Sequence, residues 1–254
     1  MIDLHCHVLP NIDDGAKTVE DTLKMLQAAI AEGITVITAT PHHNPEYNNE
    51  RQIILEKVKE IEKIITKNNL PIQLLAGQEV RIYGDLVADY NAGKLVTSAD
   101  STRYMLVEFP SNHVPKYAEH LFYDMALQGL QPILVHPERN SGIINNPELL
   151  YNFVNQGVLS QVTASSITGH FGKKIQKLTF QMIENNLTHF VASDAHNITS
   201  RAFKMKEAFE IIKNKYGQAV ADEYKINAGR VIEDKVIYPA VPSKIKNKRF
   251  LGLF

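Results

Sequence analysis

The chain has 254 residues, 44% hydrophobic and 22% charged, which is ample for a folded protein with a large core. A net charge of −1 with histidine neutral excludes a global basic field for nucleic acid or membrane, and no apolar run approaches the ~18 residues of a spanning helix, which excludes an integral membrane protein. A single cysteine excludes an internal disulfide framework and fits a reducing cytoplasm.

In chain order, Ile2–His5 is a short apolar start. It does not read as a signal peptide, because no basic region precedes it and Asp3, His5 and His7 interrupt any apolar run. Thr18 and Asp21 have the spacing of a capping box and predict a helix that ends at Gly33. "ITVITAT" (34–40) is β-branched and predicts a buried strand. Ile54, Val58, Ile61 and Ile65 recur at helical spacing and predict a helix over 50–68. Strands follow at "IQLLAGQEV" (72–80) and "YMLVEFP" (104–110), then a helix over 115–128 closed by Gly129. The pattern continues with a strand at "PILVHPE" (132–138), a helix near 147–156, a strand at "VLSQVTA" (158–164) and a helix near 172–185. It ends with a strand at "HFVASDAH" (189–196) and a helix near 201–215.

Seven strand–helix units in strict alternation predict a single α/β domain with a parallel sheet and helices outside it. The count suits a (β/α)7 barrel over residues 1–242; an open doubly wound sheet is the competing arrangement. Residues 243–254, with Lys244, Lys246, Lys248 and Arg249, read as a loosely held basic tail or as a docking or membrane-surface peptide.

Chemistry-bearing residues collect at the strand ends: His5 and His7, His42 and His43, Glu79, Glu108, His136, then Asp194 and His196. Only the sixth strand lacks such a residue, and it carries Gln161 and Thr163 instead. In parallel α/β folds the carboxyl ends of strands open into the loops that carry function. Adding Asp14 gives nine candidate ligands: His5, His7, Asp14, His42, Glu79, Glu108, His136, Asp194 and His196. Imidazole and carboxylate without thiolate suit manganese, zinc or iron. Nine ligands imply two or three divalent ions with one carboxylate shared. Strand alternation turns Cys6 away from His5 and His7, so a packed thiol is expected rather than a nucleophile.

"DLHCH", "TPHH", "GQEVR", "LVHPER" and "SDAH", in this order, resemble the PHP superfamily (polymerase and histidinol phosphatase) of metal-dependent phosphoesterases. "MIDLHCHVLPNIDDGAKT", "ATPHHN", "HPERN" and "SITGHFGKK" further resemble the bacterial PHP-class tyrosine-protein phosphatases encoded with capsule and exopolysaccharide genes. The resemblance implies a distorted barrel of PHP type and manganese as the usual ion, with iron or zinc as alternatives. It sorts the ligands into His5, His7, Glu79 and Asp194 for one ion, a bridging Glu79 with Glu108 and His136 for a second, and Asp14, His42 and His196 for a third. It implies phosphotyrosine hydrolysis on a bacterial tyrosine kinase and its substrates, by attack of a metal-bridging hydroxide. Arg139 and Arg201 then fall where they could hold phosphoryl oxygens, since a guanidinium meets two oxygens at once. His43 is a candidate for work beside the ligands or at the leaving group. Alternatives are a small-molecule phosphatase acting on a substrate such as histidinol phosphate, a nuclease module, and a non-enzymatic binding module. The near-zero net charge argues against the nuclease, and an intact ligand set argues against the last.

Overall fold

In the computed structural model, which describes residues 1–246, β1 (Ile2–Cys6) leads through a loop to α1 (Val19–Ala31). The capping box forms as expected: Thr18 Oγ1 accepts from the Asp21 N–H, and Asp21 Oδ2 accepts from the Thr18 N–H, each at 3.1 Å. The next two predicted strands are each interrupted. β2 (Val36–Ala39) stops before Pro41, which has no N–H for a ladder, and resumes as β3 (His42–His43). After α2 (Arg51–Lys67), β4 (Gln73–Ala76) breaks at Gly77 and resumes as β5 (Glu79–Arg81). Pairing survives both breaks: Ala39 pairs with Ala76 and His42 with Glu79, the same offset on either side. Each pair of short strands is therefore one strand with a kink just where its functional residues begin.

The remaining elements are α3 (Leu86–Asn91), β6 (Tyr104–Glu108), α4 (Ala118–Leu127), β7 (Gln131–Val135), α5 (Ser141–Asn145), α6 (Glu148–Asn155) and β8 (Leu159–Thr163). Then come α7 (Ala164–Ile167), α8 (Lys173–Glu184), β9 (Phe190–Ala192), α9 (Met205–Tyr216) and α10 (Gln218–Ile232). Every strand pair is parallel, in the orders β1-β2-β4 and β3-β5-β6-β7-β8-β9. The two sheets join through the kinked strands. The ring closes where Cys6 bridges Ala195, with the His7 N–H donating to Ala195 O and the Asp194 N–H to His5 O, both at 2.9 Å. This is the expected single-domain barrel of seven strand–helix units; closure removes the exposed edges of an open sheet.

Asp3 clasps the same seam. Its buried carboxylate accepts from the Ser193 N–H at 2.9 Å and from Ser193 Oγ at 2.5 Å. Burial pushes the Asp3 carboxyl up to about 6 against the pull of those bonds.

Alternation along the strands makes two cores. Leu4, Leu106, Ile133, Val135, Leu159 and Phe190 fill the barrel, while Met105, Val107, Leu134 and Val162 face the helices. Ala228 and Val231 of α10 pack on the inner set. The sequence reading missed α10 and placed α9 four residues early: residues 201–204 belong to the loop after β9, and Gly217, at φ 93°, turns the chain from α9 into α10. Of the basic tail, the Ser243 N–H donates to Asn185 O at 2.9 Å and Lys244 pairs with Glu148. Residues 247–254, which carry the rest of the expected tail, lie outside the described residues.

One buried histidine sets a pH limit on the fold. The Ser160 N–H donates to His189 Nδ1 at 3.0 Å, and His189 Nε2 has no partner among the described residues. Burial holds its pKa down to about 4. A depressed folded pKa gives stability that is present above the unfolded value of about 6.5 and lost as pH falls through 4, on the order of 3 kcal/mol. His189→Gln, which cannot charge, is expected to flatten the acid limb of the unfolding free energy by that amount. Denaturant titrations from pH 7 to 4 measure it, and parallel limbs for both proteins would refute it.

Candidate metal centre

The carboxyl ends of the strands converge on one cluster. On β1, His5 points inward, and His7 follows it on the same face. Their Nε2 atoms lie 3.1 Å apart. Both face Glu79 Oε2 at 3.3 Å, and both face Asp194 Oδ1, at 3.5 and 3.4 Å. Cys6 between them points into the outer core, fully buried, with Sγ 3.6 Å from Ala195 O. Burial, with Asp3 and Asp194 nearby, holds that thiol well above its ordinary range, so it carries no thiolate.

Two residues that sequence reasoning passed over fix these imidazoles. Gln161 Oε1 lies 2.9 Å from His5 Nδ1, and Asp13 Oδ2 lies 2.7 Å from His7 Nδ1. Each engages the outer nitrogen and leaves Nε2 aimed at the cluster. Gln161 was visible only as the odd residue at its strand end, and Asp13 only as the neighbour of Asp14. The turn that separates the two aspartates depends on Gly15: a Cβ there would stand 2.1 Å from His7 O. Gly15→Ala must push the turn off β1 and displace both aspartates. A displacement near 1 Å costs about 100-fold in rate, and that fall in kcat/KM is expected, with unchanged far-UV circular dichroism. Activity within threefold of wild type would refute it.

Glu79 is the hub. Its Oε1 lies 2.8 Å from His136 Nε2 and its Oε2 2.8 Å from His42 Nδ1. Glu108 stands beside the hub, with Oε1 4.0 Å from His136 Nε2, and is held by Arg81 Nε at 2.8 Å. Asp14 Oδ1 lies between His42 Nε2 at 3.3 Å and His196 Nε2 at 3.2 Å. The geometry gathers four overlapping sets that could each hold a cation: His7, Asp14, His42 and His196; His5, Glu79 and His136; His5, His7 and Asp194; His42, Glu79 and Glu108. All nine candidate ligands are therefore brought together. His43 is not: it follows His42 on β3, so alternation turns it away, with its ring 6.0 Å from Tyr83.

Burial would raise the Glu79 and Asp194 carboxyls, but the imidazoles around them, His5 first, hold both well below the usual range. Burial pulls the His42 imidazole down, yet Glu79 and Asp14 outweigh it and push it up to about 10. Burial and the stacked His7 ring pull His196 down to about 4. Two imidazoles share Asp14, and the more buried one is the neutral one. The centre thus interleaves carboxylates with imidazoles, with Glu108 raised by burial and by Glu79, and a divalent cation held there would displace the proton that His42 otherwise carries.

Backbone conformation adds to this. His136 and Asp194 sit at φ 35° and 53°, in the left-handed region that non-glycine residues avoid. Such strain clusters where side chains must be aimed. Arg139, one turn past His136, pairs with Asp194 Oδ2, and Arg201 Nη2 reaches the same oxygen at 3.1 Å. Arg201 Nη1 also meets Asp14 Oδ2 at 3.2 Å.

The orphaned atoms test the cluster's fit to cations. His42 Nδ1, Glu79 Oε2 and His196 Nε2 are buried with no hydrogen-bond partner among the described residues, though each faces an oppositely inclined neighbour. Leaving such atoms unpaired costs free energy that a cation among them would recover.

The family model described as "Capsular polysaccharide synthesis, CpsB/CapC" matches residues 1–233. The chain is 42% identical over 255 residues to tyrosine-protein phosphatase YwqE of Bacillus subtilis, covering 100% of both chains. It is 39% identical over 255 residues to CapC of Staphylococcus aureus, again covering 100% of both. It superposes with a TM-score of 0.95 and 42% identity on a chain from the crystal structures of YwqE from Bacillus subtilis and CpsB from Streptococcus pneumoniae, described as metal-dependent tyrosine phosphatases. That match covers 97% of this chain and 100% of the other.

Proposed function

The chain belongs to the CpsB/CapC family of capsular polysaccharide synthesis, and from that membership we propose that it is a metal-dependent protein-tyrosine phosphatase. Its substrates are phosphotyrosine on a bacterial tyrosine kinase and that kinase's targets, in the cytoplasm. The observation that carries the reading is the cluster of five imidazoles and four carboxylates centred on Glu79 with two arginines at its mouth.

His5, His7, Glu79 and Asp194 would hold one ion, Glu79, Glu108 and His136 a second, and Asp14, His42 and His196 a third, with manganese first and iron or zinc as alternatives. Such ions lower the pKa of water toward about 7 and offset phosphoryl charge. The chain's own work is positioning. Gln161 and Asp13 hold two ligand rings in the tautomer that faces the site. Asp194 orients Arg139 and Arg201, whose forked donors meet phosphoryl oxygens. A tyrosine leaving group, with a pKa near 10, departs without a strong general acid. His43 faces Tyr83 and is assigned no step.

The test compares kcat/KM on a phosphotyrosine peptide and on histidinol phosphate with manganese present. At least a ~100-fold preference for the peptide is expected, since the leaving phenol is the better one. A preference for histidinol phosphate would reassign the protein as a small-molecule phosphatase on the same centre.

A further inference from the structure

The segment "SITGHFGKK" holds no candidate ligand, yet its turn presents two ring side chains. Gly169 and Gly172 sit at φ 83° and 91°, in the left-handed region that admits glycine freely. The Gly172 N–H donates to Gly169 O at 2.9 Å, and Gln176 Nε2 braces the turn on Ile167 O at 2.9 Å. Between the glycines stand exposed His170 and half-buried Phe171, with ring centroids 5.3 Å apart. Phe171 belongs to neither hydrophobic core. Its ring centroid lies 5.0 Å from the guanidinium carbon of Arg139.

A second contact registers this segment on the Arg139 turn. Fully buried Glu138 Oε1 accepts from the Thr163 N–H at 2.9 Å and from Ser166 Oγ at 2.7 Å, at the start of the same loop. From the cluster outward the order is Asp194, Arg139, Phe171.

We propose that Phe171 is a specificity-determining residue that flanks the phenolic ring of the substrate while holding Arg139 over the phosphoryl group. The inference rests on the phosphatase reading. A phosphoryl group held by Arg139 places its ester oxygen outward, and the next group of a phosphotyrosine is a ring. That ring meets the exposed part of Phe171, and an aromatic pair gains affinity that a serine methylene cannot. The cation–π contact keeps the guanidinium from swinging into solvent.

Binding of phenylphosphonate and methylphosphonate to the manganese-supplemented full-length chain, read by calorimetry, tests this. Both ligands use Arg139, but only one has a ring. Phe171→Ala is expected to weaken phenylphosphonate about tenfold more than methylphosphonate, the upper range for one aromatic pair. Phe171→Leu, which fills the turn without a ring, is expected to match it and guards against a folding defect. Phe171→Tyr restores the wild-type ratio. On a phosphotyrosine peptide, the Ala and Leu variants raise KM and, through the loosened Arg139, lower kcat. Equal weakening of both phosphonates, or an unchanged ratio, overturns the proposal. The expected ratios across the variants, with no turnover of phosphotyrosine by the wild-type chain, overturn the phosphatase reading alone.

Discussion

Glu79→Gln is expected to lower kcat/KM on phosphotyrosine by about 1000-fold or more, while Cys6→Ser leaves it within twofold. The contrast follows from position. Glu79 is fully buried and its two oxygens reach His136 and His42 at 2.8 Å and His5 and His7 at 3.3 Å. It is the only residue common to both the His5–His136 set and the His42–Glu108 set. Glutamine keeps the shape and loses the charge. Its amide N–H₂ also turns a donor toward imidazole nitrogens that need an acceptor or a cation. Losing an outer partner of a metal ligand costs 10- to 100-fold, and losing a shared ligand costs more. Metal analysis of the variant is expected to return at least one ion fewer per chain than wild type. Activity within tenfold of wild type would remove Glu79 from the centre and the proposed mechanism with it. Cys6 packs in the outer core with Sγ 3.6 Å from Ala195 O, on the face away from His5 and His7, so serine there tests packing.

Removal of divalent ions is expected to abolish turnover, by more than about 1000-fold, and manganese to restore it. Without cations the site retains two arginines and a set of mutually neutralised acids and imidazoles, which can bind a phosphoryl group but leave water as weak an acid as in bulk. Stability supplies a second readout. An ion that binds only the folded chain stabilises it by about 2.7 kcal/mol at a concentration 100 times its dissociation constant. For a chain of this size that corresponds to a rise in Tm of roughly 5–10 °C per site. Full activity after exhaustive chelation, with no manganese-dependent change in Tm, would overturn the metal-centre reading and leave the fold untouched.

The positions of the nine candidate ligands were legible because a parallel barrel sends every strand's carboxyl end to the same face, so His5, Glu108, His136 and Asp194 could be grouped without knowing any distance. The roles of Asp13 and Gln161 were not. Asp13 and Asp14 are chemically identical neighbours, and a turn forced by Gly15 against His7 decides which one braces and which one faces His42 and His196. Gln161 has no charge to mark it. Its role exists only because β8 sets it beside a histidine from the other end of the chain. The same distinction separates His42 from His43: adjacent residues on one strand cannot share a face, but which one faces inward depends on the pairing of β3 with β5.

Helix α10 marks the other boundary. Gly229 and a weak apolar stripe hide it from periodicity, and packing of Ala228 and Val231 on the inner core holds it in place. Alone, the sequence determined the alternation of strand and helix, the seven-unit count, the donor types at the strand ends and the outward turn of Cys6, because each depends on local periodicity or on side-chain type. Only the tertiary structure decided the closure of the ring at Asp3 and Ser193, the convergence on Glu79, the bracing of His5 and His7, and the placement of Phe171 on Arg139. Each of those joins residues distant along the chain, and such contacts arise from packing that no local pattern encodes.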